Sequence, residues 1–234
     1  MRPAILPVVE TGGNMRAIIT TILLMIIPFV SNAQAINRAG SWEWSVAGTF
    51  QQSKNVGSAG GSTLDVDSAT GIGFSFGYNF SNKLTLGFDL DYLRPDYLAV
   101  LIDDTVMPAA TTTINHEFTQ FNTRIKGTFN LIDAPFTPFI EAGIGWTFID
   151  SNVADGPPVT GCWWHPYWGY ICDNFYSTFT ETSFSYGVGV GLRYELRGGT
   201  FLKASYNGWE MDGVGVSDDP IISAARLEFG WSFN

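Results

Sequence analysis

From Trp42 onward the chain alternates apolar and polar residues with a period of two, the spacing that sends every second side chain to the same face of a β-strand. Eight such segments stand out. The first sets Trp42, Trp44, Val46, Gly48 and Phe50 against Glu43, Ser45, Ala47, Thr49 and Gln51; the second sets Ile72, Phe74, Phe76, Tyr78 and Phe80 against Gly71, Gly73, Ser75, Gly77 and Asn79. The third opposes Leu84, Leu86, Phe88, Leu90 and Tyr92 to Thr85, Gly87, Asp89 and Asp91. The fourth is weaker, with Phe121, Ile125, Phe129 and Leu131 among Gln120, Asn122, Arg124, Lys126, Thr128 and Asn130. In the fifth, Pro138, Ile140, Ala142, Ile144, Trp146 and Phe148 face away from Glu141, Gly143, Gly145 and Thr147. The sixth runs from Phe184 to Tyr194, with Ser185, Gly187, Gly189, Gly191 and Arg193 on its polar face. The seventh, Leu202 to Asn207 with Lys203 polar, is the shortest, and the eighth pairs Ala225, Leu227, Phe229, Trp231 and Phe233 with Arg226, Glu228, Gly230 and Ser232.

The connections alternate in length. Ser81 to Lys83, Ile132 to Thr137 and Leu196 to Gly199 are short turns, whereas Ser53 to Ser68, Arg94 to Ile114, Asp150 to Thr178 and Gly208 to Pro220 are long loops. Sorting by parity places all short turns at one end and all long loops at the other. That is the plan of an all-β, eight-stranded antiparallel transmembrane β-barrel, an up-and-down meander with short periplasmic turns and long extracellular loops.

The charges decide which face is the inside. Glu43, Asp89, Asp91, Glu141 and Glu228, together with Arg124, Lys126, Arg193, Lys203 and Arg226, all lie on the polar faces, five of each sign. On a lipid-facing wall each Arg or Lys would cost about 2–4 kcal/mol at the midplane. They are therefore expected to point inward, where an eight-stranded barrel is just wide enough for side chains to fill it, and to form an ion-paired plug. A soluble eight-stranded barrel would reverse the faces and force many aromatic rings into a small lumen. The aromatic residues instead cluster toward strand ends, with Trp42, Trp44, Tyr78, Phe80, Tyr194, Trp231 and Phe233 at one and Tyr92, Trp146 and Phe148 near the other, as interfacial girdles do.

Composition adds constraints. Only 15% of the 234 residues are charged, below the quarter usual for soluble chains. The 12 Lys and Arg form no cluster that would neutralise phosphates, so a nucleic-acid partner is excluded. Residues 1–35 read as a signal peptide, with Met15 as the expected initiator, an apolar run from Ala17 to Val30 and a small-residue cleavage site at Ala33 to Ala35. The single barrel domain then spans residues 41–234. In the oxidising compartment that export implies, Cys162 and Cys172 are expected to form a disulfide. The Trp163, Trp164, Tyr167, Trp168 and Tyr170 rings between them are expected to pack on one another as a small lid. Exposed, the same rings would be a surface-binding patch for a glycan or lipid. The long loops and adjoining strand ends hold 14 acids against Lys54 and Arg94, an acidic outer end. No acid cluster there has the spacing of a cation loop, so no metal site and no cofactor is expected.

The eight alternating strands and the final strand Arg226-Leu227-Glu228-Phe229-Gly230-Trp231-Ser232-Phe233 resemble the eight-stranded outer-membrane β-barrel family, the group of the OmpA transmembrane domain, OmpX-like proteins and opacity-type surface antigens. The resemblance covers residues 41–234. It implies a bacterial outer-membrane location, contact with outer-membrane lipid and lipopolysaccharide, and recognition of the C-terminal strand by the barrel-assembly machinery; Asn234 after Phe233 departs from the usual terminal Phe. It also implies a choice of functions: envelope integrity or adhesion without catalysis, a narrow porin-like channel for small or apolar solutes, or lipid A modification. The lipid A enzymes place a Ser, a His and an acid at one rim. Here the two histidines, His116 and His165, have no serine at the required spacing, with Ser177 and Ser183 the nearest on the loop side. No catalytic residue is assigned, and a non-enzymatic role is expected.

Overall fold

The computed structural model describes residues 37–57, 62–103, 110–212 and 220–234. In chain order the strands are β1 (Trp42–Gln51), β2 (Lys54–Gly57), β3 (Thr63–Val66), β4 (Ala69–Asn79), β5 (Leu84–Leu93), β6 (Asp96–Asp103) and β7 (Ala110–Glu117). They continue with β8 (Thr119–Asn130), β9 (Phe136–Ala154), β10 (Val159–His165), β11 (Gly169–Phe175), β12 (Thr178–Glu195), β13 (Thr200–Met211) and β14 (Ile221–Phe233).

Eight of these strands, β1, β4, β5, β8, β9, β12, β13 and β14, close into an antiparallel barrel in which each pairs with its neighbour in that order and β14 returns to β1. The register fixes its pitch. A path across the wall from Trp42 passes Tyr78, Leu86, Gly127, Ala142, Val188, Gly208 and Ser223. The Ser223 carbonyl accepts a bond from the Gln52 amide at 2.9 Å, ten residues further along the chain than the start. Such a stagger tilts the strands relative to the barrel axis.

Alternation sets the faces. Glu43, Ser45, Thr49 and Gln51 are buried within the cylinder, while Trp42, Val46 and Phe50 are each more than a third exposed on the outer wall. The same holds around the ring, with Leu86, Ile125, Ile140, Val190 and Leu227 facing outward. Stacked rings mark the short-turn end, where Trp44 and Trp231 lie 4.5 Å apart, and Trp146 meets Phe184 at 5.8 Å at the long-loop end.

The long connections are not the loops the sequence reading expects. β2, β3, β6 and β7 form a four-stranded outer sheet in the order β2-β3-β6-β7, and β10 and β11 form a separate hairpin. The outer sheet is held by a core of its own: Val66, Tyr97, Ala99 and Phe118 are buried, with Leu64, Ile114 and Ile149 packed against them. Tyr97 to Ile102 and Thr111 to Ile114 are rich in apolar and β-branched residues, which favour strands. His116 lies not in a barrel strand but in β7, opposite Tyr97. The seventh barrel strand is longer than its alternation predicts: β13 runs to Met211 and takes in Gly208 to Met211 from the expected loop. The expected signal peptide lies outside the described residues, as do Asp104, Asp218 and Asp219 of the acidic outer end.

β9 and β12 continue past the barrel rim to the base of the β10–β11 hairpin. Their pairing is interrupted once, where Thr178 faces Ala154 but Thr180 faces Asp150. Asn152 in this bulge has a φ of 54°, a left-handed conformation that Asn tolerates better than most residues. Its side-chain amide donates to the Glu117 carbonyl at 3.1 Å, tying the bulge to the strand junction beneath the outer sheet.

Candidate functional site

Two places concentrate chemistry: the lumen and the hairpin. In the lumen, strands on opposite sides of the cylinder bring acids and bases together in tiers. Nearest the short turns, Glu43 on β1 receives Arg193 Nη1 from β12 at 2.7 Å and Lys203 Nζ from β13 at 2.6 Å. Arg193 Nε also reaches Glu195 at 2.6 Å, and Arg38 Nε reaches the same carboxylate oxygen at 2.8 Å. Above this, Lys126 Nζ bridges Asp89 at 2.6 Å and Glu141 at 3.1 Å. Glu228 accepts bonds from Arg226 Nε at 3.0 Å and from the Ser45 hydroxyl at 2.8 Å. Asp91 joins the upper tier, pairing with Arg226, with Arg124 Nη1 at 3.3 Å and with the Thr49 hydroxyl at 3.0 Å.

All ten charged residues assigned to the lumen from sequence thus meet an opposite charge there. The most exposed of these side chains, Lys203, is only 11% accessible. Buried ion pairs contribute little net stability against apolar packing, but removing one partner leaves an uncompensated charge.

Several residues of this network are absent from the sequence-based set. Arg38 precedes the first strand and Glu195 ends the sixth barrel strand, so neither shows as part of an alternating run. Phe139, Phe201 and Trp209 are apolar yet buried on the inner face. Arg193 and Lys203 lie over the Phe201 ring at 4.2 and 4.8 Å, and Arg124 lies 4.2 Å over Trp209. These rings act as neutral partners for cations. Continuing the parity of Glu141, Lys203 and Asn207 by one step would have found all three. The glycines opposite them make the room: a Cβ on Gly187 would come within 2.7 Å of the Trp209 ring, and one on Gly230 within 2.7 Å of Phe201 Cε2. Among the tiers there remains a cavity of about 20 Å³ bordered by Glu43, Ser75, Asp89, Lys126 and Glu228, enough for about one water.

The hairpin is built differently. Cys162 and Cys172 face each other across β10 and β11 and are joined by a disulfide. Beyond it Trp163 pairs with Ile171, Trp164 with Tyr170 and His165 with Gly169, and Pro166, Tyr167 and Trp168 make the turn. Gly169 carries the positive φ, 74°, that closes it. The lid expected from sequence does not form, because a two-stranded ribbon has no third layer under which its rings can be buried. Tyr167 is 88% exposed, Trp168 76%, and Trp164 and Tyr170 70% each. Trp163 leans on Phe175 with ring centres 5.9 Å apart, and His165 stacks on Trp168 at 4.5 Å.

Between the outer sheet and the barrel lies an apolar cavity of about 410 Å³ lined by Val66, Tyr97, Phe118, Ile149, Met211 and Ile222. Burial pushes the Tyr97 phenol above its ordinary pKa. The groups weighed for catalysis are dispersed: Ser183 is buried within the lumen, while His116 is exposed on the outer sheet and bonds through Nδ1 to the backbone of Glu117.

No curated protein sequence matches the chain. Among solved structures, OprG from Pseudomonas aeruginosa superposes with a TM-score of 0.55 at 12% identity, covering 84% of this chain and 97% of that one, a likeness of fold. Ail of Yersinia pestis, crystallised with the heparin analogue sucrose octasulfate, gives a TM-score of 0.48 at 14% identity over 83% and 99% of the two chains. Neisserial surface protein A gives 0.46 at 16% identity over 83% and 96%. Residues 20–233 match the family described as the outer membrane protein beta-barrel domain, and with a closed eight-stranded wall that is apolar outside and charged within, the chain belongs to that family of bacterial outer-membrane proteins.

Proposed function

We propose that this chain is a sealed, non-enzymatic outer-membrane barrel that holds an aromatic contact element at the cell surface. One contrast carries the reading: the lumen charges are matched by opposite charges, whereas four large rings on the disulfide-tied hairpin stand 70–88% exposed. A protein evolved to pass solutes has no use for a neutralised core, and a purely structural barrel has no use for unburied tryptophans. The acidic outer end limits self-association, and contact with lipopolysaccharide and outer-membrane lipid follows from the girdles. Export through residues 1–35 and recognition of the last strand by the assembly machinery belong to the same proposal, and N-terminal sequencing of the membrane-inserted protein should begin after Ala35.

Planar-bilayer recording tests the seal: the refolded barrel should give no discrete openings, and steady unitary currents would refute it. Adhesion of whole cells to a surface tests the contact element, since replacing Trp163, Trp164 and Trp168 by Ala should abolish it while heat-modifiable gel migration is kept. Lipid A from expressing cells should keep its mass, with or without His116→Ala.

A second reading, favoured by the 410 Å³ apolar cavity, is capture of small apolar solutes at the outer mouth. Its test is saturable binding of a fluorescent apolar probe that Phe118→Ala weakens.

A further inference from the structure

We propose that the hairpin tip is an anchor for a second lipid bilayer, its Trp164, Tyr167, Trp168 and Tyr170 rings entering the headgroup layer of a facing zwitterionic membrane. The proposal rests on the surface-contact reading and names its partner.

The side-chain chemistry comes first. Tryptophan and tyrosine combine an apolar body with one polar edge and settle where acyl chains meet headgroups. This chain uses them so on its own wall, at Trp42, Trp44 and Trp231. The hairpin presents the same residue types on the far side of its disulfide, and from Trp163 to Ile171 only His165 can carry a charge. A segment meant for an ionic partner would not be so neutral.

Geometry makes the tip ready for insertion. The disulfide and the cross-strand register fix the rings before any encounter, which removes much of the ordering cost of binding. Reach is adequate as well. β9 continues past Phe148 of the upper girdle to Ala154, bending at the Asn152 bulge, and β10 adds seven residues at about 3.3 Å each, so the tip lies beyond the girdle.

A glycan is the main competitor. Sugars held on aromatic rings also need planar polar side chains beside them, and from Trp163 to Ile171 the hairpin carries none but His165, whose Nδ1 accepts from the Tyr167 amide at 3.2 Å. Asp173 and Asn174 stand on the other side of the disulfide from the tip, with Thr160 donating to Asn174 at 2.8 Å. Charge then selects among lipid surfaces. Asp155, Asp173 and Glu181 flank the hairpin, and the outer end as a whole is acidic, so an anionic membrane is repelled and a zwitterionic one is not.

The test uses the full barrel in nanodiscs of ordinary phosphatidylcholine, mixed with separate phosphatidylcholine vesicles whose acyl chains are brominated. Wild-type protein should float with the vesicles and lose part of its tryptophan fluorescence, because bromine reaches the hairpin but not the rings on the barrel wall. Trp164→Ala with Trp168→Ala should weaken partitioning at least about tenfold while gel migration shows an intact barrel. Phosphatidylglycerol in the vesicles should weaken it further, with salt restoring it within the reach of screening. Absence of flotation, equal flotation by the double variant, or stronger binding to anionic vesicles would each overturn the proposal. If wild-type cells still adhere through the hairpin while vesicles do not bind, the lipid partner is wrong and the contact reading stands. If the hairpin variant adheres like wild type, the contact reading itself fails.

Discussion

Replacing Glu43 by Gln removes one negative charge and almost no volume from the lower lumen. In the native barrel the carboxylate accepts from Lys203 at 2.6 Å, Arg193 at 2.7 Å and Asn79 at 3.3 Å. Arg193 retains Glu195 at 2.6 Å, but Lys203 is left with the face of Phe201 at 4.8 Å and the longer-range attraction of Glu228. Breaking a buried pair by deleting one member costs about 3–5 kcal/mol, and because Arg193 keeps a second carboxylate a loss at the lower end, about 3 kcal/mol, is expected. That is on the order of a hundredfold in the folding equilibrium. Urea titration of the barrel in phospholipid vesicles, followed by tryptophan fluorescence and by heat-modifiable gel migration, measures it. The double variant Glu43→Gln with Lys203→Met should regain most of the loss, since the stranded charge is then gone. A Glu43→Gln midpoint within about 0.5 kcal/mol of wild type, the range of ordinary surface changes, would show that water or ions already compensate these charges, and the sealed-lumen argument would fall with it.

Gly230→Ala should lower stability by about 1–3 kcal/mol through overpacking against Phe201 and the Trp44 carbonyl, seen as a lower urea midpoint. Phe118→Ala should loosen the outer sheet by about 3–5 kcal/mol without opening the barrel, and hydrogen exchange should quicken in β3 and β6 but not in β8 or β9. Replacing both Cys162 and Cys172 by Ser should leave the barrel's urea midpoint unchanged while removing about 3 kcal/mol of local stabilisation, so that protease cuts the hairpin and nothing else.

The barrel was legible because lipid and lumen impose opposite demands on alternate residues, and a run such as Ile140-Glu141-Ala142 answers both without ambiguity. The outer sheet was hidden by the same logic. Its strands need only one apolar face against a small local core, so Leu98 and Leu101 stay exposed while Tyr97 and Ala99 are buried, and the clean two-sided contrast is lost. Phe201 and Trp209 escaped because a ring among charges looks like an error of alternation until the guanidinium or ammonium group above it is seen. At the hairpin, the sequence located the rings and their crosslink but not their exposure, which depends on whether a third layer covers the ribbon.

The way β9 and β12 run from the wall to the base of the hairpin with a single bulge between them has a mechanical consequence. Two adjoining staves share any tug on the tip, and their cross-strand bonds resist it by sliding together instead of peeling one at a time. A load applied outside the cell is thereby delivered into the whole cylinder, with the kink at Asn152 as the one joint along the way.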